Sequence, residues 1–178
     1  MKAINNPIKF YSMNYLNDKC TFTFSETADY TKLCDFLPYD LNNLFVFTGA
    51  TGTITGTFKD RYSQSINRDV DTIIIQNTNI KSMTVKYIDG SSVEQTLYTL
   101  TNNSNSEIRI ELSASVNISN IIFNITEIFT GTYIYIGQLR ICENIIELVA
   151  TTNTGVSDVL EDGKIRTAKK FNYIFTNP

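Results

Sequence analysis

Hydrophobic and polar positions follow two different patterns in the middle of the chain. Residues 73–75 are three consecutive isoleucines, and Val70 precedes them. This apolar run is too short for a helix, so it predicts a strand that is covered on both faces. A few residues later, Met83, Val85 and Tyr87 alternate with polar neighbours. That alternation predicts a strand with one buried face and one face in water.

Similar strand patterns recur along the chain as far as Cys142, about every 8–12 residues and with no amphipathic helix between them. The Asp89-Gly90 pair predicts a hairpin turn, because glycine takes a positive φ at little cost, and the polar residues 101–106 predict another turn. Two packed sheets would bury the apolar positions of these strands. The sequence therefore predicts an all-β, antiparallel sandwich over residues 1–150. The predicted inward positions are Phe22, Phe24, Ile108, Ile110, Leu112, Ile121, Phe123, Ile125, Ile134, Ile136, Leu139 and Ile141.

The C-terminal part of the chain has a different composition. Large apolar residues are sparse after Cys142 until the last few positions, and Asp162-Gly163 is another hairpin signal. We predict that residues 151–178 are a C-terminal extension that forms a hairpin arm from about Val156. The alternative is that this segment adds edge strands to the sandwich. Aromatic and basic residues often anchor interfaces, and the candidates for partner binding are Lys164, Arg166, Tyr173 and Phe175.

Composition and charge narrow the class of protein. The chain has 178 residues, of which 42% are hydrophobic and 19% charged, as in globular domains. Its net charge of −3 argues against a nucleic-acid partner, which would need a basic surface. No apolar stretch approaches the ~18 residues of a membrane span, and the N-terminus lacks the apolar segment of a secretory signal. We expect no membrane span and a protein that is made in the cytoplasm.

The three cysteines, Cys20, Cys34 and Cys142, indicate a reducing compartment. Their number is odd, and their spacing fits no metal knuckle or redox motif. We predict three reduced thiols. A single disulfide between Cys20 and Cys34 is the alternative.

Catalytic and metal-binding signatures are weak. The chain contains no histidine, which removes the commonest general base and metal ligand and excludes a Ser-His-Asp triad. The glycine-rich residues 49–56 lack the lysine of a phosphate-binding loop. Asp29 and Asp35 have the oxygen ligands that calcium prefers, but an ordinary solvated loop accounts for them as well. We predict that the protein is not an enzyme and needs no metal or cofactor.

One polar loop carries the best candidates for a ligand site. Tyrosine can stack on a sugar ring, and arginine can bond hydroxyls or a carboxylate. The loop that follows Lys59 combines these residue types, although an ordinary surface loop would do so too. The candidate ligand-binding residues are Arg61, Tyr62, Asn67 and Arg68.

The stretch from about Asp60 to Asn144 resembles the galactose-binding-like, discoidin-type jelly roll. Members of that family carry a Val-Asp-x-Ile strand, a polar step ending in Asn, a strand closing at Asp-Gly and a late Ile-Gly-x-Leu strand. The positions that match are Val70, Asp71, Ile73, Asn79, Asp89, Gly90, Ile136, Gly137 and Leu139. With its short C-terminal extension, the chain also resembles small structural proteins of bacteriophage tails and phage-like particles. The chain departs from the sugar-binding members in having no tryptophan.

Two functions follow from this resemblance as expectations. The first is a non-enzymatic structural subunit of a phage tail or phage-like particle, assembled in the bacterial cytoplasm, whose partners are other virion proteins and copies of itself. The second is a carbohydrate-binding, lectin-like module for glycans on a host surface. An aromatic site at a loop end would favour the second function, and large buried interfaces in a particle would favour the first.

Overall fold

The computed structural model describes residues 8–11, 14–17, 20–26, 32–33, 39–40, 44–60, 62–89, 91–151 and 172–176. The chain divides into two compact units. The larger unit is Ser12–Glu143, and the smaller unit is made of Met1–Tyr11 and Asn144–Pro178. The predicted boundary between residues 150 and 151 stays a prediction.

The larger unit is a sandwich of two antiparallel sheets, which confirms the predicted fold class. The first sheet has the strand order β3-β10-β5-β8. Its strands are β3 (Phe45–Val46), β5 (Arg68–Thr78), β8 (Glu107–Ile118) and β10 (Tyr135–Cys142). The second sheet has the order β2-β4-β9-β6-β7. Its strands are β2 (Thr21–Phe24), β4 (Gly52–Thr57), β6 (Ile80–Ile88), β7 (Glu94–Leu100) and β9 (Asn120–Ile128).

The inner faces of the two sheets supply one hydrophobic core. Phe45, Phe47, Phe58 and Phe123 are among its largest side chains. The alternation predicted for β6 is confirmed, because Met83 and Val85 are buried while Thr84 and Lys86 are half-buried on the other face. All twelve predicted inward positions belong to this core or pack against it.

Strand β5 is covered on both faces, as the isoleucine run predicts. Ile73 and Ile75 lie in the core, whereas Ile74 lies on the opposite face and is 7% exposed. The polar residues 76–78 belong to β5 and not to a separate step. Asn77 has a φ of 51°, a left-handed conformation that asparagine tolerates. This local reversal lets both Ile75 and Thr78 be buried although they are three positions apart.

The predicted turns are confirmed with one change in length. Strands β6 and β7 form a hairpin through residues 89–93, which is longer than a two-residue Asp-Gly turn. The side chain of Asp89 accepts hydrogen bonds from the backbone N–H groups of Ser91 and Val93. Because the Asp89 side chain supplies these hydrogen bonds to the loop backbone, the hairpin is stable without a two-residue Asp-Gly turn.

The smaller unit contains a three-stranded antiparallel sheet with the order β1-β11-β12. Its strands are β1 (Ile8–Tyr11), β11 (Asn144–Thr151) and β12 (Asn172–Thr176). Register pairs Leu148 of the central strand with Ile8 on one side and Phe175 on the other. Tyr173 and Phe175, two of the predicted partner-binding residues, therefore lie in β12. Lys164, Arg166, Val156 and the Asp162-Gly163 turn lie outside the described residues.

Two of the three cysteines are described. Cys142 is a buried thiol in β10, and Cys20 is half-buried with its sulfur near Gly56. Cys34 lies outside the described residues, as do Asp29 and Asp35. None of the described residues forms a helix with the length and hydropathy of a membrane span.

Candidate functional site

The sandwich has two loop ends with different chemistry. We call one the Asp60 end; its described residues are 58–60, 62–67, 89, 91–93, Ser119 and Glu143. We call the other the Asn79 end; it contains residues 47–51, 77–79, 101–106 and 129–134. The antiparallel pairings place these loops at opposite ends of the same strands.

The predicted ligand-binding loop lies at the Asp60 end and forms a tight turn. The Asp60 carboxylate accepts hydrogen bonds from the backbone N–H groups of Tyr62 and Gln64, at 2.8 and 2.9 Å. This turn presents Tyr62 at its tip, where the side chain is 67% exposed. Arg61 lies outside the described residues.

Asn67 and Arg68 stand close to Tyr62 in sequence but are engaged by other residues. The Asn67 amide donates to Oδ1 of Asn117, and the Asn117 amide in turn donates to Asp69. The Arg68 guanidinium lies over the Tyr15 ring, 5.2 Å from its centroid, a cation–π contact. Asn67 is exposed but hydrogen-bonded to Asn117, and Arg68 is half-buried against Tyr15, so Tyr62 is the exposed aromatic candidate of this loop.

Carboxylates gather at the edge of the Asp60 end. Burial raises the pKa of Glu143, and the nearby charges of Asp69 and Asp71 raise it further, while a hydrogen bond from the Tyr15 hydroxyl, at 3.4 Å, lowers it. Among the described residues, no group of three His, Cys, Asp or Glu side chains could hold a metal ion. This end offers one exposed aromatic ring beside a set of internally bonded polar groups.

At the Asn79 end, one buried asparagine organises the loop between β9 and β10. The Asn79 side-chain amide donates to the backbone carbonyls of Thr130 and Tyr133, both at 2.8 Å. Its carbonyl oxygen accepts from the backbone N–H of Tyr135 at 3.1 Å. The Asn79 main-chain carbonyl also accepts from Phe129 at 2.9 Å. The residue itself has no exposed surface and its side-chain bonds are partly buried, so losing one is costly.

These bonds hold two tyrosines at the surface. Tyr133 is 46% exposed, and its ring lies 6.5 Å from the half-buried ring of Tyr135, tilted by 59°. Tyr135 pairs directly with Val46 of β3, and Val46 is 42% exposed. We call Tyr133, Tyr135 and Val46 the tyrosine platform. Exposed hydroxyl and amide side chains belong to the same loop end: Thr48, Thr51, Asn102, Asn105, Thr130 and Thr132.

A second contact secures the loop beside the platform. The Glu26 carboxylate accepts hydrogen bonds from both the backbone N–H and the hydroxyl of Thr48. The backbone of this loop is also bonded to Ile134, through Phe47 and Gly49. The platform is therefore built on two anchored loops, and preorganised loops lose less entropy on binding.

The sequence analysis missed this platform, although a signal was present. In "TYIYIG", Ile134 and Ile136 were assigned to the core, which leaves Tyr133 and Tyr135 on the wet face of the same strand. Large aromatic side chains on a wet strand face are unusual enough to mark a binding surface. The role of Asn79 cannot be inferred from the sequence, because the partners of its side chain are backbone groups more than fifty positions away.

Comparison with known proteins identifies solved structures that share this fold. No protein-family model matches the sequence, and no curated protein matches it. One similar solved structure is the family 32 carbohydrate-binding module of Streptococcus pneumoniae EndoD (TM-score 0.59, 12% identity, covering 73% of this chain and 98% of that one). Another is chitosan-binding module 1 of a chitosanase/glucanase from Paenibacillus sp. IK-5 (TM-score 0.59, 12% identity, covering 74% of this chain and 100% of that one).

A third similar structure is the family 32 module of C. perfringens NanJ in complex with galactose (TM-score 0.58, 15% identity, 75% of this chain and 100% of that one). Identities this low show a common fold and nothing finer. The chain therefore has the galactose-binding-like jelly-roll fold of these modules, as the sequence resemblance predicts.

Proposed function

We propose that the sandwich is a non-catalytic carbohydrate-binding module and that the tyrosine platform at the Asn79 end takes the sugar. The observation that carries this proposal is the exposed Tyr133 ring, held in place by a buried asparagine and flanked by hydroxyl and amide groups. A tyrosine offers an apolar face to the C–H groups of a sugar and a hydroxyl to its polar edge. The similar structures named above are themselves carbohydrate-binding modules, which supports the same reading.

The chemistry of the platform favours binding and not hydrolysis. Glycoside hydrolysis uses a pair of carboxylates that flank the bond to be cleaved. Glu26, which follows β2, holds the loop beside the platform, and both of its oxygens accept hydrogen bonds from Thr48. The platform therefore supplies an aromatic surface and hydrogen-bonding groups without an acid–base pair among the described residues.

The test is isothermal titration calorimetry with a small panel of sugars. The panel contains galactose, N-acetylgalactosamine and chitosan oligomers. We expect at least one of them to bind, and we expect Tyr133→Ala to weaken its affinity roughly tenfold, which corresponds to a loss of about 1.4 kcal/mol.

The matched control is Tyr62→Ala, which removes an exposed tyrosine at the opposite end of the sandwich. We expect this variant to bind like the wild-type protein. Failure of the wild-type protein to bind any sugar of the panel would overturn the proposal. A loss of affinity in Tyr62→Ala but not in Tyr133→Ala would move the site to the Asp60 end.

The role as a structural subunit of a phage tail or phage-like particle stays a prediction, as does its location in such a particle. The residues on which it depends lie in the smaller unit or outside the described part of the chain. A carbohydrate-binding module can belong to a larger assembly, so the two functions are compatible.

A further inference from the structure

The outer face of the five-stranded sheet is a regular array of threonines. Cross-strand register places three rows of side chains on this face, running from β2 through β4, β9 and β6 to β7. We call this surface the threonine face. Its members are Thr21, Thr23, Thr53, Thr55, Thr57, Thr84, Thr96 and Thr99, together with Asn120, Asn124, Ile88, Ile122, Lys86 and Glu94.

The side chains of the threonine face are fixed by one another. The hydroxyl of Thr53 donates to Oδ1 of Asn124 at 3.1 Å, and the amide of Asn120 donates to the hydroxyl of Thr57 at 3.0 Å. With strands about 4.8 Å apart, five strands span roughly 19 Å. All the members of this face are exposed or half-buried, so the array is accessible to a partner.

The threonine face is close to electrically neutral. Its two charged residues, Lys86 and Glu94, form an ion pair at 2.7 Å. A neutral surface of this kind complements an uncharged partner better than an acidic or basic one. Protein interfaces concentrate their energy in buried aromatic and arginine anchors, and the face carries neither residue type. A second copy of the chain is therefore not the partner that its chemistry favours.

We propose that the threonine face is a second glycan contact, separate from the tyrosine platform, and that it adsorbs the surface of an uncharged, hydroxyl-rich polysaccharide. This inference rests on the proposed carbohydrate-binding function. Each threonine hydroxyl can donate and accept a hydrogen bond, as can each hydroxyl of a sugar, so the array fits a polymer in more than one orientation. Many weak contacts over one rigid face add up to useful retention on a repeating surface.

The test is adsorption of the full chain to insoluble chitin and cellulose, measured by depletion from solution in an excess of the soluble sugar that binds the tyrosine platform. We expect the wild-type protein to adsorb to at least one polymer. The double variant Thr23→Val/Thr55→Val removes two hydroxyls, keeps the side-chain shape and favours strands, and we expect it to lower the partition coefficient several-fold. Thr23→Lys/Thr55→Lys, which adds bulk and charge, is expected to lower it at least tenfold.

The matched control is Ser113→Lys/Ser115→Lys, which adds the same charge to exposed positions of β8 in the other sheet. We expect this variant to adsorb like the wild-type protein. The inference is overturned if the wild-type protein adsorbs to neither polymer, if the threonine variants adsorb normally, or if the serine control loses adsorption equally. It is also overturned if the threonine variants change the oligomeric state in sedimentation velocity, since a second copy would then occupy the face.

These outcomes are independent of the proposed sugar site. Binding of soluble sugars tests the tyrosine platform, and it is expected to be unchanged in all the threonine variants. A wild-type protein that adsorbs to a polymer but binds no soluble sugar would count against the platform and not against the threonine face.

Discussion

Asn79 is the residue on which the candidate site depends most. Asn79→Ala would leave the carbonyls of Thr130 and Tyr133 and the N–H of Tyr135 without their partner. A buried group left unsatisfied costs about 1–3 kcal/mol. Because Thr130 and Tyr133 are exposed residues whose carbonyls water can reach in part, we expect a total loss of about 2–4 kcal/mol in the free energy of unfolding. Urea denaturation measures this change. Sugar binding at Tyr133 should weaken as well, because the loop that carries the ring loses its anchor.

Asn103 provides the control for this prediction. Its amide also bridges a loop, donating to the carbonyls of Ile80 and Asn105, but it is half-buried and lies in the neighbouring loop. Asn103→Ala should cost less stability and leave the Tyr133 loop in place. Equal effects of the two substitutions on sugar affinity would show that Asn79 has no special role.

The thiol of Cys142 makes stability depend on pH in alkaline solution. Burial raises its pKa from 9.0 to about 11, although the nearby charge of Arg140 acts in the opposite direction. Between these values the unfolded chain loses the thiol proton while the folded chain keeps it. The contribution of Cys142 to stability is therefore present below pH 9 and is lost as the pH rises towards 11.

The comparison that isolates this effect is wild type against Cys142→Ala. Urea midpoints measured from pH 8 to pH 11 should fall more steeply for the wild-type protein. Parallel curves for the two proteins would mean that the thiol ionises normally in the folded state.

At the scale of single elements, β5 shows how two faces of one strand differ. Ile73 faces the core, whereas Ile74 lies on the other face, directly between Arg109 of β8 and Arg140 of β10. A carboxylate buried without a partner costs several kcal/mol, comparable with a total stability of about 5–15 kcal/mol. We expect Ile73→Asp to abolish folding.

Ile74→Asp is the informative comparison, because two arginines would flank the new carboxylate. We still expect it to destabilise the domain strongly, since Ile74 is only 7% exposed. The loss should be smaller than for Ile73→Asp, as judged by thermal melts of both variants. A near wild-type melting temperature for Ile74→Asp would show that this face of β5 is open to water.

The strands were predictable because each carries its own periodicity. The isoleucine run of β5, the alternation of β6 and the inward phenylalanines of β2 all appear locally in the sequence, and the structure confirms them. The candidate site was not predictable in the same way. Tyr133 owes its position to bonds from Asn79, and register alone places Val46 beside Tyr135, so both depend on contacts between distant segments.

The predicted ligand-binding loop illustrates the same limit. Tyr62, Asn67 and Arg68 are neighbours in sequence with suitable chemistry, but contacts with Asn117 and Tyr15 from distant parts of the chain engage two of them. Residue type identifies candidate ligand-binding residues, whereas contacts in the folded protein determine which of them can reach a ligand.

At the scale of the whole molecule, the larger unit should be self-sufficient. Residues 12–143 contain both sheets of the sandwich and all the core residues that the structure describes. We expect a shortened chain of these residues to melt cooperatively and to bind sugar with the affinity of the full chain. Differential scanning calorimetry and titration calorimetry test the two parts of this expectation. A non-cooperative melt would show that the smaller unit is needed for folding.

The most direct test of sugar binding at the tyrosine platform is a map of where the sugar binds. Backbone amide chemical shifts of the ¹⁵N-labelled full chain would be followed by NMR during titration with the sugar from the panel that binds best. If the sugar binds at the tyrosine platform, the largest shift changes fall around it, at residues 46–49, 77–79 and 129–135. Shift changes confined to residues 58–69, or none at saturating sugar, would contradict it.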